Sequence, residues 1–107
     1  MGKKATKLQR DILLALSMRG HRLFNNPRGF DRDRKVKYGV GPNGMPDIIG
    51  YAKDGKFAAI EIKAEGDYAS QEQKDVVQKL LKAGVRAGFA RSVDDAIEIM
   101  EESLPAE

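Results

Sequence analysis

The sequence predicts an α/β domain: a small central mixed β-sheet flanked by helices, in the order α-β-β-β-α-β-α. Three observations carry that expectation. Residues 8–16 place apolar side chains at helical spacing, residues 47–64 hold two strand-like runs joined by a tight turn, and residues 70–100 give helix, strand and helix signals in succession. The 107 residues fit one domain, 1–107, with its core over about 8–100.

The first helix is expected over 6–19, where Leu8, Ile12, Ala15 and Leu16 form one stripe and Gly20 supplies a stop. His21–Asn25 reads as a short strand, and His21, the one histidine, as a helix-end or surface group. Asn26–Lys37 is the least structured stretch. It carries Pro27, Gly29 and five cations (Arg28, Arg32, Arg34, Lys35 and Lys37), with the aromatic side chains of Phe30 and Tyr38 on either side. Gly39–Gly44 is a turn-rich loop. Asp47–Ala52 and Phe57–Ala64 then form a hairpin around Asp54-Gly55, a strong turn signal. Ser70-Gln71-Glu72-Gln73 is a capping box that opens a second helix, which ends near Gly84. Val85–Ala90 is a further strand, and Ser92 caps a last helix whose Val93, Ala96, Ile97 and Met100 face inward. The tail Leu104–Glu107 is expected to fray.

Composition narrows the chemistry. There is no cysteine, which excludes a disulfide framework, a thiolate zinc site and a cysteine nucleophile. No run approaches the roughly 18 apolar residues of a membrane span, and the basic start has no signal-peptide core behind it, so a cytoplasmic protein is expected. Net charge is +3, unevenly spread: residues 1–38 carry +8 and residues 39–107 carry −5. A basic half beside an acidic half points to a polyanion partner and to a cation site.

The hairpin brings that cation site into view. With Asp54-Gly55 as the central turn pair, Asp47 faces Ile62, one position from Glu61; a one-residue bulge would set it directly opposite Glu61. Either register leaves the two carboxylates about 5–8 Å apart on neighbouring strands. Glu61 and Lys63 share one face, and Ile60 and Ile62 the other. Two carboxylates that close call for a positive charge between them, and oxygen donors suit magnesium or manganese, with the carbonyl of Ile62 as a further ligand. Lys63 would stand beside the phosphate and the attacking water. Ile48-Ile49-Gly50 and Ala58-Ala59-Ile60 read as buried on both faces, so charges set among them need a reason. Gln73 lies in line with Val76, Val77 and Leu80, the inward stripe of its helix. It either completes the capping box or reaches toward the site. Arg28, Arg32, Arg34, Lys35 and Lys37 are expected on phosphates, with Lys74 extending that surface.

Gly44-Met45-Pro46-Asp47-Ile48-Ile49-Gly50 followed by Ala59-Ile60-Glu61-Ile62-Lys63 resembles the core motif of the PD-(D/E)XK nucleases. Ser70-x-x-Gln73, Leu80–Gly84 and Ser92–Ala96 are similar to the virus-type replication-repair (VRR-NUC) family within them. The resemblance implies a restriction-endonuclease-like core. It implies Asp47 and Glu61 as metal ligands, Lys63 as catalytic lysine, Gln73 as the helix glutamine, and Mg2+ or Mn2+ as cofactor. It also implies a homodimer cutting branched DNA, in the manner of Holliday-junction resolvases. One departure stands out: the family carries a glutamate on the first helix, before an Ile-Gln pair, and here Lys7-Leu8-Gln9 lies in that region. Asp11 is the nearest acid that could substitute. Two alternatives stay open: a DNA-binding module with an inactive site, and a nuclease of flapped, nicked or single-stranded DNA.

Overall fold

The computed structural model describes residues 3–102. The first helix, α1, runs Lys3–Met18 and buries Ile12 and Leu16 almost completely. The chain then turns through Gly20, in the left-handed region at φ 93°, into β1 (Arg22–Asn25). After β2 (Gly29–Asp31) and β3 (Val36–Tyr38) come β4 (Ile48–Tyr51), β5 (Phe57–Ile62), α2 (Gln71–Lys82), β6 (Arg86–Ala90) and α3 (Val93–Glu101). The central sheet has the order β1-β4-β5-β6. Its first three strands are antiparallel, and β6 joins β5 in parallel through α2, the long crossover that parallel pairing requires. The expected mixed sheet with flanking helices is thus present. His21 stands just past the end of α1, its N–H donating to the Leu16 carbonyl, but it is no surface group: it is only 3% exposed.

The two faces of β5 divide the molecule. Ile60 and Ile62 join Ile12 and Leu16 of α1, Ile48 of β4, and Ala96 and Met100 of α3 in one apolar cluster. Ala59, Glu61 and the following Lys63 turn to the other face, where Lys63 meets Gln73 of α2. Burial on both faces holds for Ala58, Ala59 and Ile60. It does not extend to Ile49 and Gly50, which are only half-buried. Helix α2 packs on β6, and the outer half of this face leaves Phe24, Tyr51 and Phe57 exposed.

The register of β4 on β5 pairs Ile48 with Ile60 and Tyr51 with Phe57. Carried one step further, it sets Asp47 opposite Glu61, the bulged alternative of the two registers. The turn explains why. Gly55 N–H donates to the Ala52 carbonyl and Ala52 N–H to the Lys56 carbonyl, both at 2.8 Å. The loop is therefore Lys53-Asp54-Gly55, with Gly55 left-handed at φ 87°, a three-residue turn in place of the two-residue one.

Residues 26–37 depart further from expectation. They contain the β2–β3 hairpin, a second sheet of two strands, so the order becomes α-β-β-β-β-β-α-β-α. Its strands are three residues long, too short for an alternation to show. The ends are fastened by chemistry that spacing does not reveal. Asn26, 7% exposed, accepts from Val40 N–H at 2.9 Å and donates to the Val40 carbonyl at 3.0 Å, so its amide imitates a strand partner. At the tip, Asp31 Oδ1 accepts from the N–H groups of Asp33 and Arg34.

Gly50 is required by contact rather than by dihedral angle. A Cβ there would lie 2.0 Å from the Arg22 carbonyl oxygen and 2.7 Å from Leu23 Cα, both backbone atoms of β1. Gly50→Ala is expected to pry β1 from β4 and cost about 3 kcal/mol or more in urea unfolding. A loss below about 1 kcal/mol would show that β1 shifts freely.

Candidate active site

Pro46 is fully buried and delivers Asp47 to the start of β4, where the Ile62 N–H donates to Asp47 Oδ2 at 3.1 Å. That bond crosses from β4 to β5 and holds the aspartate beside Glu61. Glu61 is 3% exposed. Burial, a hydrogen bond to Asp47 and repulsion from the Asp47 charge push its carboxyl up to about 9, against the smaller downward pull of Lys63 and Arg28. Glu61 therefore favours its protonated form at neutral pH.

A cleft of about 610 Å3 opens on this pair, lined also by Gln9, Arg28, Met45 and Gln73. Lys63, 8% exposed, sits behind that lining. Its ammonium donates to Gln73 Oε1 at 2.8 Å and to the Tyr68 carbonyl at 3.3 Å. Gln73 Oε1 also accepts from the Ser70 N–H at 3.0 Å, while Ser70 Oγ accepts from the Gln73 N–H at 3.1 Å. The two readings of Gln73 are thus one: the oxygen that closes the capping box also anchors the lysine.

The other expected residues are placed unevenly. Arg28 stands at the carboxylates: it faces Glu61 and lines the cleft, with only long 3.5 Å bonds to the Met45 and Gly41 carbonyls and an Nε that is buried without a partner. Arg32, Arg34 and Lys35 lie exposed around the hairpin tip, where Lys35 takes a left-handed backbone at φ 57°. Lys37 is on β3, and Lys74 is exposed on α2 next to Gln73. Asp11 is not brought to the cleft; it accepts from Lys7 at 2.7 Å, one turn away on α1. Gln9 lines the cleft instead, its Oε1 buried without a partner and its Nε2 donating to Asn25. Charge and spacing do not find Gln9. Its one signal is its place in the Lys7-Leu8-Gln9 segment, where the family pattern has its Ile-Gln pair.

Among the described residues, no three His, Cys, Asp or Glu side chains gather to hold a metal. Two carboxylates with a main-chain carbonyl nevertheless fit magnesium, which keeps several waters and takes one or two carboxylates plus substrate phosphate. The repulsion that raises Glu61 beside Asp47 is what a bound cation would relieve.

A larger cleft, about 820 Å3, lies elsewhere, between the end of α1, the β4–β5 turn and α3. Most of its charges are already matched. Arg86 binds Asp54 at 2.8 Å, while Arg19 at 2.5 Å and His21 at 2.9 Å bind Glu101 and hold its carboxyl down to about 2. Lys53 N–H donates to His21 Nδ1, so the ring proton sits on Nε2 and faces Glu101. This network staples the end of α1 and the β4–β5 turn to α3.

The model of the VRR-NUC domain matches residues 4–94. A solved structure, a VRR_NUC domain protein, aligns with a TM-score of 0.67 at 21% identity, over 95% of this chain and 88% of that one. No curated protein matches the sequence. With the family model spanning most of the chain, and the structural likeness repeating its fold, the chain belongs to the VRR-NUC family, nucleases of the PD-(D/E)XK type.

Proposed function

We propose that the chain is a single-domain, metal-dependent and structure-selective DNA endonuclease of the cytoplasm, acting as a homodimer on branched DNA in the manner of a Holliday-junction resolvase. The observation that carries this reading is the cross-strand pair Asp47–Glu61 at the cleft, backed by a lysine that Gln73 holds in place. Asp47, Glu61 and the Ile62 carbonyl are the groups that would hold Mg2+ or Mn2+. When bound, such an ion supplies positive charge at the phosphate and lowers the pKa of a water. Lys63 directs its ammonium to the charge that develops on the phosphate oxygens. Arg28 neutralises the phosphate beside the carboxylates, and the cations of the β2–β3 hairpin extend along the strand. Two copies would supply the two sites that symmetric cutting of a junction needs.

The pairing of Asp11 with Lys7, away from the cleft, favours a second reading, a DNA-binding module that does not cut. One experiment separates them. Purified protein is incubated with a labelled four-way junction and with linear duplex of the same sequence, in magnesium, in manganese and in chelator. Metal-dependent cutting, faster on the junction, is expected. Binding without cutting under every metal condition would establish the inactive module. Preferential cutting of flapped, nicked or single-stranded substrates would keep the nuclease and change its substrate.

A further inference from the structure

A third cleft, about 380 Å3, lies beside the candidate active site on the β2–β3 hairpin. Arg28 and Gly44 line both clefts, so the two adjoin. Phe30, Lys37, Tyr38 and Asn43 form the rest of the wall that bears on a ligand. The aromatic side chains here are bare: Phe30 is 54% exposed and Tyr38 is 53% exposed. The Tyr38 ring is nonetheless held. It lies across Gly29, its cross-strand partner, so closely that a Cβ on Gly29 would sit 2.6 Å from Tyr38 Cζ. The hydroxyl end of the ring abuts Gly29, and the rest of the ring stands exposed in the cleft.

Cations beside a fixed aromatic face make the arrangement that takes single-stranded nucleic acid: charge tracks the backbone, and the ring takes the flat face of a base. A paired base inside a duplex has no free face to offer. The size agrees with one nucleotide-sized ligand, because small-molecule clefts begin at about 300 Å3. We propose that this cleft takes one unpaired base of the DNA strand lying in the active cleft, stacked on Tyr38, with Arg28 and Lys37 on the flanking phosphates. The inference rests on the nuclease reading and sharpens it: the feature recognised at a branch is an unstacked nucleotide next to the cut.

Single-stranded DNA carrying 2-aminopurine tests this when titrated with protein in chelator, since stacking quenches the probe and no cleavage is needed. The wild type and Tyr38→Phe should quench it. Tyr38→Leu removes the ring, and should quench little and bind about ten-fold more weakly. The hairpin is a separate two-stranded sheet outside the core cluster, so unchanged thermal unfolding of Tyr38→Leu is expected and shows that the loss is local. Quenching and affinity in Tyr38→Leu equal to wild type would overturn the proposal. Quenching as expected in a protein that cuts no DNA with any metal would uphold the base site and remove the nuclease reading. Metal-dependent cutting that Tyr38→Leu leaves unchanged on every substrate would do the reverse.

Discussion

Glu61→Gln is expected to abolish cleavage and, in the same step, to stabilise the metal-free protein. The folded chain holds the Glu61 proton up to about pH 9, whereas the ordinary carboxyl value is 4.5. Between those values the folded state binds more protons than the unfolded one, so stability falls as pH rises through the window. Glutamine does not ionise, and its amide can donate to Asp47 as the protonated carboxyl does. At pH 7 the variant should therefore gain about 3 kcal/mol in urea unfolding, and at pH 4 the difference should vanish. Divalent cation should invert the ranking, because a ligand that binds only the folded state stabilises it and the variant has lost a ligand carboxylate. Unfolding curves at the two pH values, with and without magnesium, check both halves. Equal stability at pH 7 would mean that the carboxylates do not strain each other. Cutting by the variant at the wild-type rate would remove Glu61 from the chemistry.

How much of this was legible from residues alone depends on how locally each feature is determined. Asp47, Glu61 and Lys63 were readable because a hairpin has few registers, and every register places an aspartate before β4 near a glutamate late in β5. The choice of register was less so: it turned on Gly55 adopting a left-handed backbone in a three-residue loop, where Asp-Gly also suits a two-residue one. The β2–β3 hairpin was hidden because its closure depends on the buried amide of Asn26 reaching Val40, fourteen positions on, and an asparagine before proline reads as a turn. Arg28 was visible as a cation, but its place beside Glu61 follows from that closure. Asp11 shows the converse. It sits on the right helix, yet at an exposed position where its neighbour one turn back, Lys7, takes up its charge. Asn26 and Asp11 are both settled by tertiary geometry, which helical and strand periodicity does not encode.

Lys63→Met is expected to lower the cleavage rate by about 100- to 10,000-fold, the range for losing one positioned charge or proton-transfer group. Stability and DNA affinity should stay near wild type. The reason lies in the three N–H donors of the ammonium. Two are used, on Gln73 Oε1 and on the Tyr68 carbonyl, which leaves one for the reacting phosphate or water. Methionine keeps an unbranched apolar stem of similar shape in the 8% exposed channel but offers no donor. Gln73 Oε1 retains its bond from the Ser70 N–H, so the helix cap survives. Lys63→Arg should be nearly as inactive, since a planar guanidinium does not reproduce a point charge on a narrow stem. Single-turnover cleavage with protein in excess separates rate from binding. A purely structural lysine would instead show reduced stability or affinity with the rate intact, and wild-type rates in Lys63→Met would take the lysine out of the mechanism. The two variants should also differ toward metal: Glu61→Gln should lose its response to magnesium, whereas Lys63→Met should still be stabilised by it and still cut slowly.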